Sequence, residues 1–450
     1  MTRRDAARRP TAPAVLLAVF LASSPARAQA PGAPSTMATR PTSLADAVAV
    51  ALQQNPDALT SDSEVHGARA DRAGVNGGFF PKLHVDANAT QWNSPFTIAL
   101  GPGENFTVRN AFTWTASVSL IQPLTPLWSV YDQYKVQDLG LNVAEIRRRV
   151  TRREVAFQVA QGYYRLLENQ RLADVARTSV TQLEAQQREA QSLFDNGVIG
   201  KNDLLRAALA LASAKQREIQ MRGAVVLARG QLATLMGVPA GTELEAEPFT
   251  GEPPNIDEPN VSAAEARAAA QRLEVHALDV GIEQAEHSVA AAKKKLIPQI
   301  SVIGNYTHFE GSQFQQEDAA YVGVFASWDV WDWGTTTSGI SSANARLDQA
   351  RIARKKVDDQ VRLEAREAFV NAETAREGLG VARTAVSQAE ENFRIVTKKF
   401  EAAAATSFDL VDAESLVTQA RGQVETALYD LLIARAALER ATGTPLPGER

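Results

Sequence analysis

The sequence contains no cysteine, which excludes disulfide bonds and a lipid anchor on an N-terminal cysteine. Histidine is also scarce, and its five copies are scattered without the spacing of a metal site. No nucleophile motif, phosphate-binding loop or glycine-rich cofactor fingerprint occurs in the chain. We therefore expect no enzymatic activity, no cofactor and no bound metal. The histidines are His66, His84, His276, His287 and His308.

Long apolar runs are missing after the N-terminal region, so any membrane contact must be made by strands. The first 28 residues have a basic start, a short apolar stretch at Ala14–Ala22 and the small-x-small sequence Ala26-Arg27-Ala28. This order is typical of a secretory signal peptide. These residues hold five Arg and one Asp, so the formal charge of −5 becomes −9 without them. An exported, acidic chain is a poor candidate for nucleic-acid binding.

Proline is absent from two long stretches of 64 residues each, Tyr131–Phe194 and Thr337–Phe400. A helix of that length is a rod of about 95 Å. In the second stretch apolar residues recur in alternating steps of four and three, which is the pattern of a coiled-coil seam. Each rod must bury such a seam against a partner helix. The seam residues are Ala368, Ala372, Ala375, Leu379, Ala382, Val386, Ala389, Phe393, Val396 and Phe400.

The chain contains two copies of one unit. FDNGVIGKNDLLRA at 194–207 corresponds to FEAAAATSFDLVDA at 400–413, which lies 206 residues later. We expect a first repeat at 29–240, a linker rich in proline and acidic residues at 241–260, and a second repeat at 261–446. Each repeat has a short helix, two strands and a helical hairpin. The predicted strands are 81–93, 106–123, 298–308 and 320–331, and the predicted hairpin helices are 131–194, 203–237, 337–400 and 406–441.

The four predicted strands alternate between apolar and polar residues. Each alternating segment is about 9 to 11 residues long, enough for a tilted strand to cross a bilayer. All six tryptophans lie in or beside these strands, and we expect none of them in a helix. Trp92, Trp114, Trp328 and Trp331 are candidates for a membrane-interface belt. A water-soluble β-sandwich alternates in the same way and is the alternative.

Four strands cannot close a barrel, and open strand edges in lipid leave backbone groups unpaired. Several chains must therefore pool their strands, and three chains would supply twelve. The expected fold class is mixed α and β. Long α-helical coiled-coil hairpins form a tunnel, and four β-strands per chain contribute to a shared twelve-stranded trimeric transmembrane β-barrel.

This combination of features resembles the TolC-type outer-membrane efflux proteins, or outer membrane factors. The resemblance rests on the signal peptide, the doubled unit, the strand pairs and the Phe-x(2)-Gly…Asp-Leu-Leu turn at 194–205, and it extends from about Ser43 to Pro445. It implies a homotrimer with its barrel in outer-membrane lipid and its helical tunnel in the periplasm. It also implies docking onto a periplasmic adaptor protein and an inner-membrane pump, with passive export of drugs or other small solutes.

The resemblance implies that the two quoted stretches are hairpin tips. Asp409 and Asp412 fall where the family has two acids around the closed periplasmic mouth, and Phe400 stands for a tyrosine. Ala403 replaces a turn glycine, and Ala405 stands where the family often has arginine, so the second tip lacks an arginine-centred lock. In the first copy Asp203 matches Asp409, whereas Arg206 occupies the place of Asp412. The residues expected to contact the adaptor are Gly197, Val198, Ile199, Ala404 and Ala405.

Plainer interpretations of these residues remain open. The sequence Thr406-Ser407-Phe408-Asp409 predicts a capping box, so Asp409 is either a helix cap or part of the gate. Asp412 taken by itself would be a solvated acid on a helix. Lys293, Lys294 and Lys295 would touch lipid headgroups or form a solvated helix end.

Two alternative functions also remain. The first is the exit duct of a type I protein secretion system. The second, from another class, is a soluble periplasmic coiled-coil scaffold, which would require the four strands to form a soluble sandwich.

Overall fold

The computed structural model describes residues 42–101, 104–402 and 404–449. The predicted signal peptide and Ala403 lie outside the described residues. Fourteen named elements are formed by the remainder, and they comprise eight α-helices, one short 3₁₀ turn at Gly77–Phe79 and five β-strands among the described residues.

Two very long helices run through the molecule. Helix α3 spans Pro126–Asp195 with 70 residues, and α7 spans Thr335–Glu401 with 67 residues. Their lengths correspond to about 105 Å and 100 Å. Helix α3 begins earlier than expected because Pro126 has no N–H to satisfy and suits the first turn of a helix. Trp128 therefore lies in a helix, and the prediction that no tryptophan does so is wrong for this residue.

Six shorter helices pack along these two rods. Helix α4 packs against α3, and α8 packs against α7, as the two hairpins require. On the α7 side the predicted seam residues Ala368, Ala372 and Leu379 are buried. The six helices are α1 (Leu44–Gln54), α2 (Pro56–Asn76), α4 (Lys201–Leu235), α5 (Val261–Gln271), α6 (Leu273–Lys294) and α8 (Ser407–Thr442).

The junctions between consecutive short helices lie against the ends of α4 and α8. The side-chain amide of Asn55 donates to the Leu235 carbonyl at the end of α4, at 2.9 Å, and its oxygen accepts from the N–H of Asp57 at the start of α2. At the corresponding place in the second copy, Gly443 ends α8 with φ +82°. A Cβ atom on Gly443 would lie 3.1 Å from the backbone oxygen of Gln271, just before α6. In each repeat the last hairpin helix thus ends against the junction between two short helices.

One antiparallel sheet sits at the end of the helices. Its order is β1-β3-β4-β5, and β2 pairs with the outer part of β3 on the side where β1 lies. The short strand β2 is additional to the four strands that the sequence predicts. The strand bounds are β1 (Lys82–Gln91), β2 (Phe96–Gly101), β3 (Glu104–Pro123), β4 (Gln299–Ser312) and β5 (Asp318–Ser327).

The central pairing joins the two repeats, since β3 belongs to the first copy and β4 to the second. Along the chain β1 follows α2, α3 follows β3, β4 follows α6 and α7 follows β5. The helices α2, α3, α6 and α7 contact one another in the same order as the strands. The order of neighbouring strands in the sheet is therefore the same as the order of neighbouring helices in the wall.

The largest hydrophobic core lies near the middle of the rods, where α1 packs against α3. Its side chains include Val48, Val159, Leu166 and Met236, all almost completely buried. The Tyr163 hydroxyl donates to the backbone oxygens of Thr42 and Glu247 at 3.1 and 3.0 Å. This tyrosine holds the segment before α1 against the linker, and burial raises its pKa to about 12. No helix in the described part of the chain is both long and apolar enough to span a bilayer.

Candidate functional site

The sheet has two chemically different faces. Val85, Val118 and Tyr306 are paired across β1, β3 and β4 and lie on one face. Val322 and Val324 of β5 share that face and are 82% and 71% exposed. The opposite face carries mostly polar side chains. They include His84, Asp86, Asn88, Thr115, Ser117, Ser119, Ser301, Asn305 and Thr307.

An exposed apolar face on a single sheet layer is not the interior of a soluble sandwich. In the described residues no second sheet covers it, because all five strands belong to one sheet. Exposing this face to water would be costly, whereas lipid suits it. The sandwich alternative is therefore wrong.

The candidate interface aromatics form two groups at opposite ends of the strands. Trp92 and Trp114 lie toward the end remote from the helices: Trp114 donates to Glu310 at 2.6 Å, and Trp92 donates to Thr113 at 3.2 Å. The Arg109 guanidinium lies 3.6 Å from the centre of the Trp92 ring. This cation–π contact was not expected from the sequence, because the bulge in β3 brings the two residues together.

Trp328 and Trp331 follow β5 at the helical end of the sheet. Trp328 donates to the Leu296 carbonyl at 3.2 Å, and Trp331 is 74% exposed. Its ring contacts that of Trp333 at 5.8 Å between centroids. Trp128 lies at the start of α3, five residues after the end of β3. Aromatic residues therefore occur at both ends of the strands, the arrangement that a membrane-interface belt requires.

The first hairpin tip is a tight, hydrogen-bonded turn. Gly197 has φ +71°, a conformation that glycine adopts without strain. The N–H of Gly197 donates to Phe194 and that of Val198 to Leu193, which is the Schellman motif of a helix end. The Val198 side chain is 61% exposed, whereas Ile199 is half-buried. The turn thus presents one apolar side chain to its surroundings.

The second tip contains the capping box that its sequence predicts. The Asp409 carboxylate accepts from the Thr406 N–H at 2.8 Å and from the Thr406 hydroxyl at 2.7 Å. The Thr406 hydroxyl accepts in turn from the Asp409 N–H at 3.3 Å. The backbone hydrogen bond from Thr406 is the main cause that holds the pKa of Asp409 below its ordinary value. Asp412 is exposed one turn further along α8, and Ala404 is exposed while Ala405 is half-buried.

Two contacts that sequence reasoning missed tie the hairpins together. The Arg206 guanidinium of α4 lies 5.4 Å from the Phe408 ring of α8. Further from the tip, the Ser179 hydroxyl of α3 donates to the buried Glu414 carboxylate of α8 at 2.7 Å. Thr418 donates to the same oxygen at 3.0 Å. Both contacts join residues more than 200 positions apart in sequence, so no local pattern could have indicated them.

The family model of the outer membrane efflux protein matches residues 47–238 and 265–444. The chain belongs to the outer membrane efflux protein family. The alkaline protease secretion protein AprF of Pseudomonas aeruginosa is 22% identical over 410 residues, covering 89% of this chain and 84% of AprF. The outer membrane efflux protein BepC of Brucella suis is 23% identical over 290 residues, covering 64% of this chain and 62% of BepC.

The fold is similar to the crystal structure of the outer membrane protein VceC of Vibrio cholerae. The TM-score is 0.75 at 16% identity, and the match covers 89% of this chain and 96% of VceC. The protein is accordingly an outer-membrane exit duct and not an enzyme. It is located in the outer membrane, and its helices form a periplasmic tunnel. The soluble scaffold alternative is thereby wrong.

Proposed function

We propose that three copies of this chain form the exit duct of a tripartite efflux system for drugs or other small solutes. The observation that carries the proposal is the single sheet layer with its exposed apolar face and its two outer strands, β1 and β5. In lipid, unpaired strand edges are unfavourable, and three copies pairing β1 with a neighbour's β5 would remove them all. Membership of the efflux family supports this assembly.

The tunnel helices support the same assembly. Helix α4 buries one side against α3 and leaves an apolar stripe exposed on another side. Helix α7 likewise has exposed apolar residues, among them Leu363 and Val381. Two such stripes would bury one another where neighbouring chains meet. The α4 stripe consists of Leu205, Leu209, Ile219, Val226 and Leu227.

The hairpin tips are proposed to bind the periplasmic adaptor, which connects the duct to an inner-membrane pump. The exposed Val198 on its rigid turn is the strongest candidate contact, since an apolar side chain at a protruding tip favours a protein partner. Gly197, Ile199, Ala404 and Ala405 complete the proposed surface.

Asp409 and Asp412 are proposed to surround the periplasmic mouth. Three copies would bring six carboxylates to one aperture, which favours cations and disfavours anions. At the other end, Trp92, Trp114, Trp328 and Trp331 are proposed to contact outer-membrane lipid at its two interfaces.

A second candidate is the exit duct of a type I protein secretion system. The similarity to AprF, whose name is that of a protease secretion protein, favours this candidate. An adaptor-docked duct of this fold suits either cargo, because a wide passive path does not need specific contacts with what passes through it.

Deletion of the gene and complementation with the wild-type chain test the two candidates together. For a solute duct, the deletion strain should accumulate a fluorescent dye several-fold and recover on complementation, with extracellular protein unchanged. Loss of one secreted protein without dye accumulation would support secretion and overturn the efflux proposal. Outer-membrane recovery and heat-modifiable migration as a trimer in gels test the assembly itself.

A further inference from the structure

A groove of about 960 Å³ runs along the helical wall next to the sheet. Its floor is the face of α6 that carries Gly281, Ala285, Ser288 and Ala292. Because these side chains are small, α3 and α7 stand higher on either side and form the walls. The wall residues are Ser129, Gln133, Val136 and Gln137 of α3 and Thr335, Thr336, Gly339, Ser342, Ala343 and Arg346 of α7.

The charges in this groove are of one sign. Lys295 and Arg346 line it and are exposed, and no carboxylate is among its described lining residues. Their neighbours Lys294 and Arg351 are in ion pairs with Asp132 and Glu286, at 2.6 and 3.4 Å. Among the described carboxylates, none forms an ion pair with Lys295 or Arg346. Two uncompensated cations therefore face a polar, water-accessible space.

A nearby acid does not cancel these charges. Asp332 precedes α7, and its carboxylate accepts from the N–H groups of Gly334 and Thr336 at 3.1 and 2.8 Å. Its carboxylate thus points at the positive end of α7, whose partial charge offsets part of its negative charge. This hydrogen bonding also holds the pKa of Asp332 low, the Thr336 side chain being the main cause.

The groove opens on the side of the chain that faces the duct. Gln299, at the start of β4, lines the groove. In β4 it alternates with the same parity as Ser301, Asn305 and Thr307, which are on the polar face of the sheet. With the apolar face toward lipid, as proposed above, the polar face lines the aqueous path and the groove continues that path into the tunnel.

We propose that Lys295 and Arg346 form an anion-favouring section of the duct immediately below the barrel. In a trimer the six side chains make two rings of positive charge. Arg346 lies 11 residues beyond Thr335, about 16 Å along α7 from the start of that helix. Solutes with carboxylate or phosphate groups would be concentrated there, whereas the proposed acidic mouth at the tips acts in the opposite sense. The inference rests on the proposed trimeric duct.

The test uses purified wild-type trimer in planar bilayers with a KCl gradient across the membrane. The double variant Lys295→Gln, Arg346→Gln should shift the reversal potential toward cation selectivity, with the potassium-to-chloride permeability ratio rising on the order of twofold. The charge-conserving pair Lys295→Arg, Arg346→Lys should behave as wild type. Lys293→Gln is a matched control, since Lys293 is exposed on the same helix end but does not line the groove.

Citrate provides a second readout with a multivalent carboxylate probe. Added at low millimolar concentration, it should reduce the current through wild-type channels and the Lys293→Gln variant, and reduce it several-fold less in the double variant. An unchanged reversal potential and unchanged citrate block in the double variant would overturn the inference while leaving the duct intact. A wild-type trimer that conducts no ions would instead overturn the proposed function on which the inference rests.

Discussion

Asp409 and Asp412 are one turn apart on α8, yet among the described residues only the first takes part in a side-chain hydrogen bond. Asp409 completes the capping box with Thr406, so its carboxylate would stabilise the start of α8 even if it did not line the channel. Asp412 has no part in that cap. The two interpretations of these acids can therefore be separated by variants that remove the cap or the charge, one at a time.

Thr406→Ala removes the hydroxyl of the cap and keeps both carboxylates. It should destabilise the start of α8 by about 1 kcal/mol and leave ion selectivity unchanged. Asp412→Asn removes a charge and keeps the cap, so it should lower cation selectivity and block by multivalent cations without loosening the helix. Bilayer conductance and hydrogen exchange at the first turn of α8 measure the two effects. If Asp412→Asn conducts and selects as wild type does, the proposed gate is rejected.

The pH dependence of the cap follows from the lowered pKa of Asp409. A carboxyl with a lower pKa in the folded state than its ordinary value of 3.8 stabilises the fold above that pH. The contribution is lost as the pH falls below 3.8 and through the folded-state pKa. The protection factor for hydrogen exchange at the first turn of α8, which is corrected for the intrinsic rate at each pH, should therefore fall below about pH 4 in the wild type. Asp409→Asn, which titrates no proton, should lack that step.

Val198 gives the sharpest test of the proposed adaptor surface. Val198→Asp places a charge in an apolar contact and should reduce crosslinking to the adaptor at least several-fold, with trimers intact. Val198→Ile is the matched control because it keeps the side chain apolar and branched. Drug resistance should follow the crosslinking. Full crosslinking by Val198→Asp would remove this tip from the proposed interface.

Among the elements, the contact between α3 and α8 includes one buried carboxylate, that of Glu414. Glu414 accepts from Ser179 and Thr418, and Ser179 reaches it from the other hairpin. Removing that donor leaves a buried charge less well satisfied. The two hairpins of one chain are thus joined by a buried polar contact, in addition to the more exposed ion pairs Arg165–Asp430 and Glu154–Arg440 between the same helices.

Ser179→Ala should destabilise the protein by about 1–3 kcal/mol, seen as a lower melting temperature of detergent-solubilised trimers. Thr178→Ala is a close control, since Thr178 is exposed and its hydroxyl bonds only to the Asp174 carbonyl of its own helix. We expect that control to melt within about a degree of wild type. Equal melting of the two variants would show that Glu414 finds other partners.

Some secondary-structure elements could be predicted from the sequence, and others could not. Period-two alternation and the four-three seam predict strands and rods because they report which side of one element is buried. Strand β2 was not predicted because it has only six residues and pairs only with the outer part of β3. The groove beside Lys295 was not predicted from the sequence for another reason. Its shape depends on small residues of α6 lying between two helices that are distant in sequence.

The hairpin tips likewise contain some features that the sequence predicts and others that it does not. Gly197 and the Thr406–Asp409 pair are local motifs, and the structure has the turn and the capping box that their spacing predicts. The Arg206–Phe408 contact is not local, so the sequence identified Arg206 only as a departure from the acidic pattern. Which tip residues bind a partner or line a mouth depends on neighbouring chains, and that information is not contained in one chain's periodicity.

For the whole molecule, the decisive property is that one chain supplies a sheet whose two faces meet different solvents. Adjacent residues of β3 should therefore respond oppositely to the same substitution. Val118 is on the apolar face and pairs with Val85 and Tyr306, whereas Ser117 is on the polar face and pairs with Asp86 and Thr307. Both lie well inside the paired part of the strand.

Val118→Lys puts a charge on the lipid face, which costs about 2–4 kcal/mol near the middle of a bilayer. We expect it to reduce the amount of heat-modifiable trimer in the outer membrane severely. Ser117→Lys adds the same charge on the polar face, where water is available, and should assemble at close to the wild-type level. Because a trimer repeats each substitution three times, the difference between the two variants is amplified at assembly. If both variants assembled equally well, the apolar face would not be in lipid, and the orientation of the sheet on which the duct and its inner charges depend would be wrong.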